Sequence, residues 1–189
     1  PANHTHVQPW SVRDLEESSD GTIWIGSAWG GLTAYKPDSN RYYSYPMPSV
    51  GKEWLWVNDI EITTENELLL ATRTHGLVQF NPESTKIQVL DLDTSGLKRE
   101  AISLIPTENN LFWLATNMGL SKYDPARASL VPFPGRKALE GVHIYGATED
   151  VMGRLWMQSS EGLSLFNPKQ GTTRHFTASD GLVSAAFHL

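Results

Sequence analysis

The 189-residue chain has no cysteine, which excludes disulfide bonds and metal sites built on thiolates. It also has no apolar run approaching the roughly 18 residues of a membrane-spanning helix. Lysine and arginine total 15 against 21 aspartate and glutamate, which gives a net charge of −6, and they stand singly along the chain. This distribution argues against a general nucleic-acid surface, so no nucleic-acid partner is expected.

Helical periodicity is also missing, and a repeated motif takes its place. Each copy has an apolar run, a Gly-Leu pair, an aromatic residue four positions after the glycine, and a proline two positions later. The motif glycines are 43 to 45 residues apart and are Gly31, Gly76, Gly119 and Gly162. A period of this length is typical of β-propeller blades.

Each repeat reads as four short strands. In the first, Asp20-Gly21 joins two apolar runs as a hairpin turn, and Pro37 ends the third strand because proline has no amide hydrogen for a sheet ladder. In the third repeat the outermost strand is predicted over residues 130–133. The repeats are predicted at approximately residues 11–46, 56–92, 100–134 and 142–177, with 182–189 starting a further blade.

The predicted fold class is therefore all-β, with four four-stranded antiparallel blades plus the start of a fifth. We expect the whole chain, residues 1–189, to be a partial propeller. Two series of large side chains recur at matching positions and are predicted to pack between blades. The second-strand series is Trp24, Leu69, Trp113 and Trp156, and the third-strand series is Tyr35, Phe80, Tyr123 and Phe166.

Candidate ligand-binding residues lie outside the repeating core, in the loops that enter the inner strands and in those that join strands two and three. Loops at one mouth of a rigid propeller are where recognition concentrates. Aromatic faces suit sugar rings or other flat ligands, and charged groups suit hydroxyl or acidic substituents. The candidates are Trp10, Trp29, Trp54, Trp56, Arg73, His75, Arg99, His143 and Tyr145, and the charged residues Lys98 and Glu100 lie in the same loops.

No catalytic motif is present. The chain has neither a Gly-x-Ser-x-Gly elbow nor a His-Glu-x-x-His pair, and it lacks a Gly-x-x-x-x-Gly-Lys phosphate loop. We therefore expect the segment not to be an enzyme, and to need neither a cofactor nor a metal.

Three segments resemble the two-component regulator propeller repeat. They are residues 20–27 followed by Gly31-Leu32, residues 153–156 followed by 161–163, and residues 180–184 followed by Phe187. The resemblance covers the chain from about Val12 to Phe187. It implies a seven-bladed propeller in the periplasmic sensor region of a hybrid two-component histidine kinase or a diguanylate cyclase.

The resemblance also implies ligand sensing, often of saccharides, with the signal passed to an output domain of the same protein. The expected partners are a small molecule or glycan, the remaining blades and signalling domains of the parent chain, and a second copy in a homodimer. Two alternatives stay open. One is a propeller lyase of the streptogramin-inactivating type, and the other is a protein-interaction or dimerisation scaffold.

Overall fold

A computed structural model describes residues 2–4, 11–45, 55–90 and 100–182. The chain divides into two compact units, Pro1–Ala101 and Ile102–Leu189. The described residues form four antiparallel sheets and no α-helix, which confirms the all-β prediction. The predicted start of a fifth blade, residues 182–189, lies outside the described residues except for Leu182.

Unit 1 contains two sheets. Blade 1 consists of β1 (Ala2–His4), β2 (Val12–Glu17), β3 (Ile23–Ser27), β4 (Gly31–Lys36) and β5 (Arg41–Tyr45). Blade 2 consists of β6 (Val57–Ile62), β7 (Leu68–Thr72), β8 (Gly76–Asn81) and β9 (Lys86–Val89). Strand β1 was not predicted; it pairs with β5 and gives blade 1 a fifth strand.

Unit 2 contains the other two sheets. Blade 3 consists of β10 (Ala101–Pro106), β11 (Phe112–Thr116), β12 (Gly119–Asp124) and β13 (Ser129–Leu130). Blade 4 consists of β14 (Ile144–Glu149), β15 (Leu155–Ser159), β16 (Gly162–Asn167) and β17 (Thr172–His175). The prediction of a strand over 130–133 was wrong in extent, because β13 stops at Leu130. Pro132 and Pro134 follow, and neither has an amide hydrogen to continue the ladder.

The turns between the second and third strands need a backbone that only glycine adopts freely. Gly119 has a φ of +121°, and the other three motif glycines also have positive φ. A Cβ atom at Gly119 would collide with the carbonyl oxygen of Leu139. The repeated glycine therefore serves the turn geometry and has no chemical role.

Four of the eight recurring large side chains lie in the cores between sheets, as predicted. Between blades 1 and 2, Trp24 and Phe80 pack with their ring centroids 5.7 Å apart. Between blades 3 and 4, Trp113 and Phe166 lie in one buried cluster. Tyr35 and Trp156 are only half-buried, since each faces away from the neighbouring described blade of its own unit.

A hydrogen bond also links the inner strands of blades 1 and 2. The carboxylate oxygen Oδ2 of Asp14, on β2, accepts from the backbone N–H of Ile60, on β6, at 2.9 Å. Both inner strands carry a β-bulge at their start, between Val12 and Asp14 and between Val57 and Asp59. The bulge locally twists each strand where the blade's loops converge.

Candidate functional site

Every blade has two ends, which we name for the direction of its inner strand. The entry end is where the inner strand begins and the second strand turns into the third. The exit end is where the inner strand turns into the second. The predicted ligand-binding residues that the structure describes lie at entry ends, so the question is which of them come together.

In unit 1, three predicted residues come together at the entry end. Trp29 lies in the β3–β4 turn with a positive φ of 74° and is 55% exposed. Its ring centroid is 5.0 Å from that of Trp56, which lies just before β6. The backbone N–H of Arg73, in the β7–β8 turn, donates to the carbonyl oxygen of Trp56 at 3.0 Å. The turns of adjacent blades thus meet at Trp56.

Two arginines also contact the ring of Trp56. The Cζ atom of Arg73 is 4.6 Å from the ring centroid, and that of Arg13 is 5.0 Å away. A guanidinium this close to an aromatic face is held by cation–π attraction. Arg73 also forms an ion pair with Glu100, with Nε and Oε1 3.8 Å apart. We call Arg13, Trp29, Trp56, Arg73 and Glu100 the entry cluster.

The indole N–H of Trp56 is buried and has no hydrogen-bond partner in the described part of the chain. Buried polar groups nearly always have a partner, and a buried tryptophan usually finds one for its N–H. The indole N–H of Trp56 is therefore a hydrogen-bond donor without an acceptor among the described residues. The Trp56 ring lies close to the guanidinium groups of Arg13 and Arg73 and to the exposed ring of Trp29.

Among the described residues, His75 bonds to the residues of its own turn and not to the entry cluster. Its Nδ1 atom is 2.8 Å from the hydroxyl of Thr74, and its backbone N–H donates to the hydroxyl of Thr72 at 3.1 Å. These bonds stabilise the β7–β8 turn, so His75 has a structural role next to the cluster.

In unit 2, the two predicted entry-end residues form a pair. The ring centroids of His143 and Tyr145 are 4.4 Å apart, with planes inclined by 33°. The carbonyl oxygen of His143 accepts from the backbone N–H of Ser160, in the β15–β16 turn, at 2.8 Å. The pair thus presents two adjacent ring faces at the start of β14.

Three predicted site residues, Trp10, Trp54 and Arg99, lie outside the described residues. One residue of the entry cluster, Arg13, was missed by the sequence analysis. It lies within the inner strand β2, where a single exposed arginine looks like an ordinary polar position. In the structure, Arg13 lies at the bulge between Val12 and Asp14, which the sequence pattern does not indicate.

The inner strands of unit 1 carry five carboxylates, and the electrostatics of four of them are coupled: Asp14, Glu16, Asp59 and Glu61. Burial, followed by charge repulsion from Asp59, Glu16 and Asp14, raises the pKa of Glu61 to about 8. Burial, followed by repulsion from Asp14, also raises the pKa of Glu16. Within the described ranges, no group of three or more histidine, aspartate or glutamate side chains is arranged to hold a metal ion.

No protein-family model matches the chain, and no curated protein matches it in sequence. Solved structures do match in fold. The extracellular domain of a hybrid two-component system from B. thetaiotaomicron superposes with a TM-score of 0.77 at 22% identity, over 94% of this chain and 24% of that one. A second such domain from the same organism gives 0.67 at 19% identity, over 89% of this chain and 24% of the other.

Virginiamycin B lyase from Staphylococcus aureus matches with a TM-score of 0.65 at 12% identity, over 87% of this chain and 55% of the lyase. The chain spans about a quarter of the length of the two-component domains. At these identities the likeness shows the fold alone: the described sheets are β-propeller blades of the kind found in extracellular domains of two-component systems. None of the described helices is long and apolar enough to cross a membrane.

Proposed function

We propose that this chain is part of a non-catalytic sensor propeller in the periplasmic region of a two-component-type signalling protein, and that the entry cluster binds a saccharide. Further blades, completing a ring of seven, and an output domain would belong to the same protein. The fold shared with extracellular domains of two-component systems supports the sensor role. The sequence resemblance to the two-component regulator repeat supports it independently.

The observation that carries the binding part of the proposal is the unpartnered N–H of Trp56 in the entry cluster. An exposed aromatic face at Trp29 suits the apolar face of a sugar ring. The guanidinium groups of Arg13 and Arg73 offer donors to hydroxyl or carboxylate oxygens. Two cations and one carboxylate leave the cluster locally positive, which favours a sugar with an acidic substituent.

The test is calorimetric titration of the intact protein with a panel of neutral and uronic-acid oligosaccharides. We expect at least one acidic member to bind, and Trp29→Ala to weaken it roughly three- to tenfold through loss of a stacking face. Trp29 is more than half exposed, so this variant keeps the fold. Trp156→Ala is the matched control, since it removes an indole outside the entry cluster and leaves the affinity unchanged.

If no oligosaccharide of the panel binds at millimolar concentration, the saccharide proposal is wrong. Equal loss of affinity in Trp29→Ala and Trp156→Ala would place the ligand elsewhere. The lyase alternative stays a prediction with its own assay: streptogramin-opening activity that is lost in His75→Ala or His143→Ala would support it against the sensor.

A further inference from the structure

A second site, unrelated to the entry cluster, lies at the exit end of unit 2. A groove of about 520 Å³ opens there between the exit-end turns of blades 3 and 4. Its volume falls within the range of small-molecule sites. We call it the exit groove; the residues used below are Thr107, Glu108, Trp113, Lys122, Phe133, Glu149, Val151, Met152 and Lys169.

The side chain of Trp113 forms the floor of the groove and is only 1% exposed. The ring of Phe133 meets it edge-on, with centroids 4.9 Å apart and planes at 88°. Its indole N–H donates to Oε2 of Glu149, on the inner strand of blade 4, at 3.1 Å. The floor is therefore rigid, and one of its hydrogen bonds bridges two blades.

The hydrogen bond from Trp113 to Glu149 leaves the exit-end turn of blade 3 different from the turns of the other blades. In each turn the first residue donates its backbone N–H to the carbonyl four residues on; these residues are Ser18, Thr63, Thr107 and Asp150. In blade 1 the hydroxyl of Ser18 accepts the indole N–H of Trp24 at 3.3 Å. In blade 3 the corresponding indole turns to Glu149 instead.

The hydroxyl of Thr107 is consequently buried without a hydrogen-bond partner among the described residues. The equivalent hydroxyl of Thr63 accepts two backbone N–H groups, at 3.3 and 3.2 Å. The carboxylate of Asp150 is likewise occupied, because Arg154 donates to it at 2.8 Å. Thr107 thus leaves an unmatched polar atom in the groove wall, which native structures rarely tolerate without a ligand or water.

Charges of both signs at the groove also lack ionic partners. The ammonium group of Lys122 lies 4.6 Å from the ring centroid of Trp113. No carboxylate within the described chain comes within ion-pair distance of Lys122 or Lys169, and no cation does so for Glu108 or Glu149. The groove therefore offers two cations and two carboxylates that form no ion pair with described residues, and one of them, Glu149, also accepts the indole N–H of Trp113.

An apolar surface stands beside these charges. The tip of the exit-end turn in blade 4 is Val151-Met152, where the other three blades have only polar residues and glycine. Val151 is fully exposed and Met152 is 63% exposed. Exposed apolar residues at one edge of a mixed-charge groove mark a binding surface.

We propose that the exit groove binds a di- or tripeptide with free termini and apolar side chains. The peptide carboxylate pairs with Lys122 and Lys169, and its ammonium group pairs with Glu149 and Glu108. The side chains pack on Val151, Met152 and Phe133. A ligand that carries charge of only one sign would be repelled either by the two lysines or by the two glutamates. A neutral sugar would leave all four of these groups without an ionic partner.

The test uses leucyl-leucine as the probe, titrated calorimetrically into the intact protein. We expect saturable binding that Lys122→Met weakens by about tenfold or more, since the peptide carboxylate loses its main partner. Methionine keeps an aliphatic chain on the Trp113 ring, so the floor stays packed. Lys137→Met is the matched control: Lys137 is an exposed cation of unit 2 outside the groove, and we expect no change.

N-acetyl-leucyl-leucine amide, which has neither terminal charge, is expected not to bind. If it binds as well as the free dipeptide, the groove takes an internal stretch of polypeptide and the proposal is wrong. Absence of leucyl-leucine binding at millimolar concentration, or equal affinity in Lys122→Met and Lys137→Met, also overturns it. Should Lys122→Met fail to fold, Met152→Ser at the exposed turn tip decides the question, with weaker binding expected and unchanged binding contradicting the proposal.

Discussion

Two threonines at the same position of successive blades differ in what their hydroxyls do. Thr63 accepts two backbone N–H groups, whereas Thr107 accepts none among the described residues. In blade 3 the indole N–H of Trp113 donates to Glu149, 36 positions along the chain, whereas the equivalent indole of blade 1 donates to the turn hydroxyl of Ser18. Blade 2 has Leu69 at this position, and the two bonds of Thr63 come from turn amides alone.

This difference predicts opposite responses to the same substitution. Thr107→Val replaces an unmatched buried hydroxyl by a methyl group, so we expect unchanged or higher stability. Thr63→Val leaves the backbone N–H groups of Glu65 and Glu67 without their side-chain acceptor and should cost about 0.5–1.5 kcal/mol. Urea unfolding measures the free energy of unfolding of both variants. A larger loss of stability in Thr107→Val than in Thr63→Val would contradict the hydrogen-bonding roles given to the two hydroxyls.

The residues of the entry cluster show how far sequence reasoning reaches at this scale. Trp29, Trp56 and Arg73 were predicted because aromatic and cationic residues in blade loops interrupt the repeat pattern. Arg13 was missed because it lies inside the pattern, on an inner strand. Their convergence on one indole depends on packing between blades, which no local pattern encodes.

At the scale of strands and turns, the apolar runs and the repeated glycine motif predicted the sheets well. The exceptions are short edge strands. Strand β1 has three residues, too few for a pattern, and β13 is cut to two residues by the prolines that follow it. Edge strands have only one neighbour, so their extent depends on the ladder geometry more than on composition.

The turn glycines give a second prediction at this scale. Gly119→Ala should destabilise unit 2 by about 1–3 kcal/mol, because alanine disfavours a positive φ and its Cβ would collide with the Leu139 carbonyl. Gly146→Ala is the control, since Gly146 lies in β14 with open space around it and without a positive φ. Thermal unfolding compares them, and equal melting temperatures for the two variants would refute the turn requirement.

For the molecule as a whole, the net charge of −6 is unevenly spread, and buried carboxylates gather on the inner strands of unit 1. The pKa of Glu61 is raised from 4.5 to about 8 in the folded chain. Between pH 4.5 and about 8, the Glu61 carboxyl stays protonated in the folded state and has lost its proton in the unfolded state. Stability must therefore fall as the pH rises through this interval.

Glu61→Gln mimics the protonated carboxyl and removes the contribution of Glu61 to the pH dependence of stability. We expect the variant to match the parent protein near pH 4.5 and to be the more stable of the two above pH 8, because it carries no buried charge there. Urea midpoints across this interval measure the effect. The exposed Glu65→Gln serves as control, and parallel pH profiles for parent and Glu61→Gln would disprove the raised pKa.

The blade architecture could be predicted because the motif occurs four times in the sequence, and each copy resolves ambiguities in the others. Function could not, since it depends on side chains that differ between copies. Trp56 and Val151 depart from the repeat, and the period of the repeat carries no information about a ligand for either position.

The bond from the Asp14 carboxylate to the amide of Ile60 has an evolutionary consequence. Its acceptor is a side chain of the earlier blade, but its donor is main chain, which every non-proline residue supplies. A newly duplicated blade would thus dock against its predecessor before any of its own side chains had adapted. Propellers joined in this manner can lengthen by gene duplication while their loops diverge freely toward new ligands.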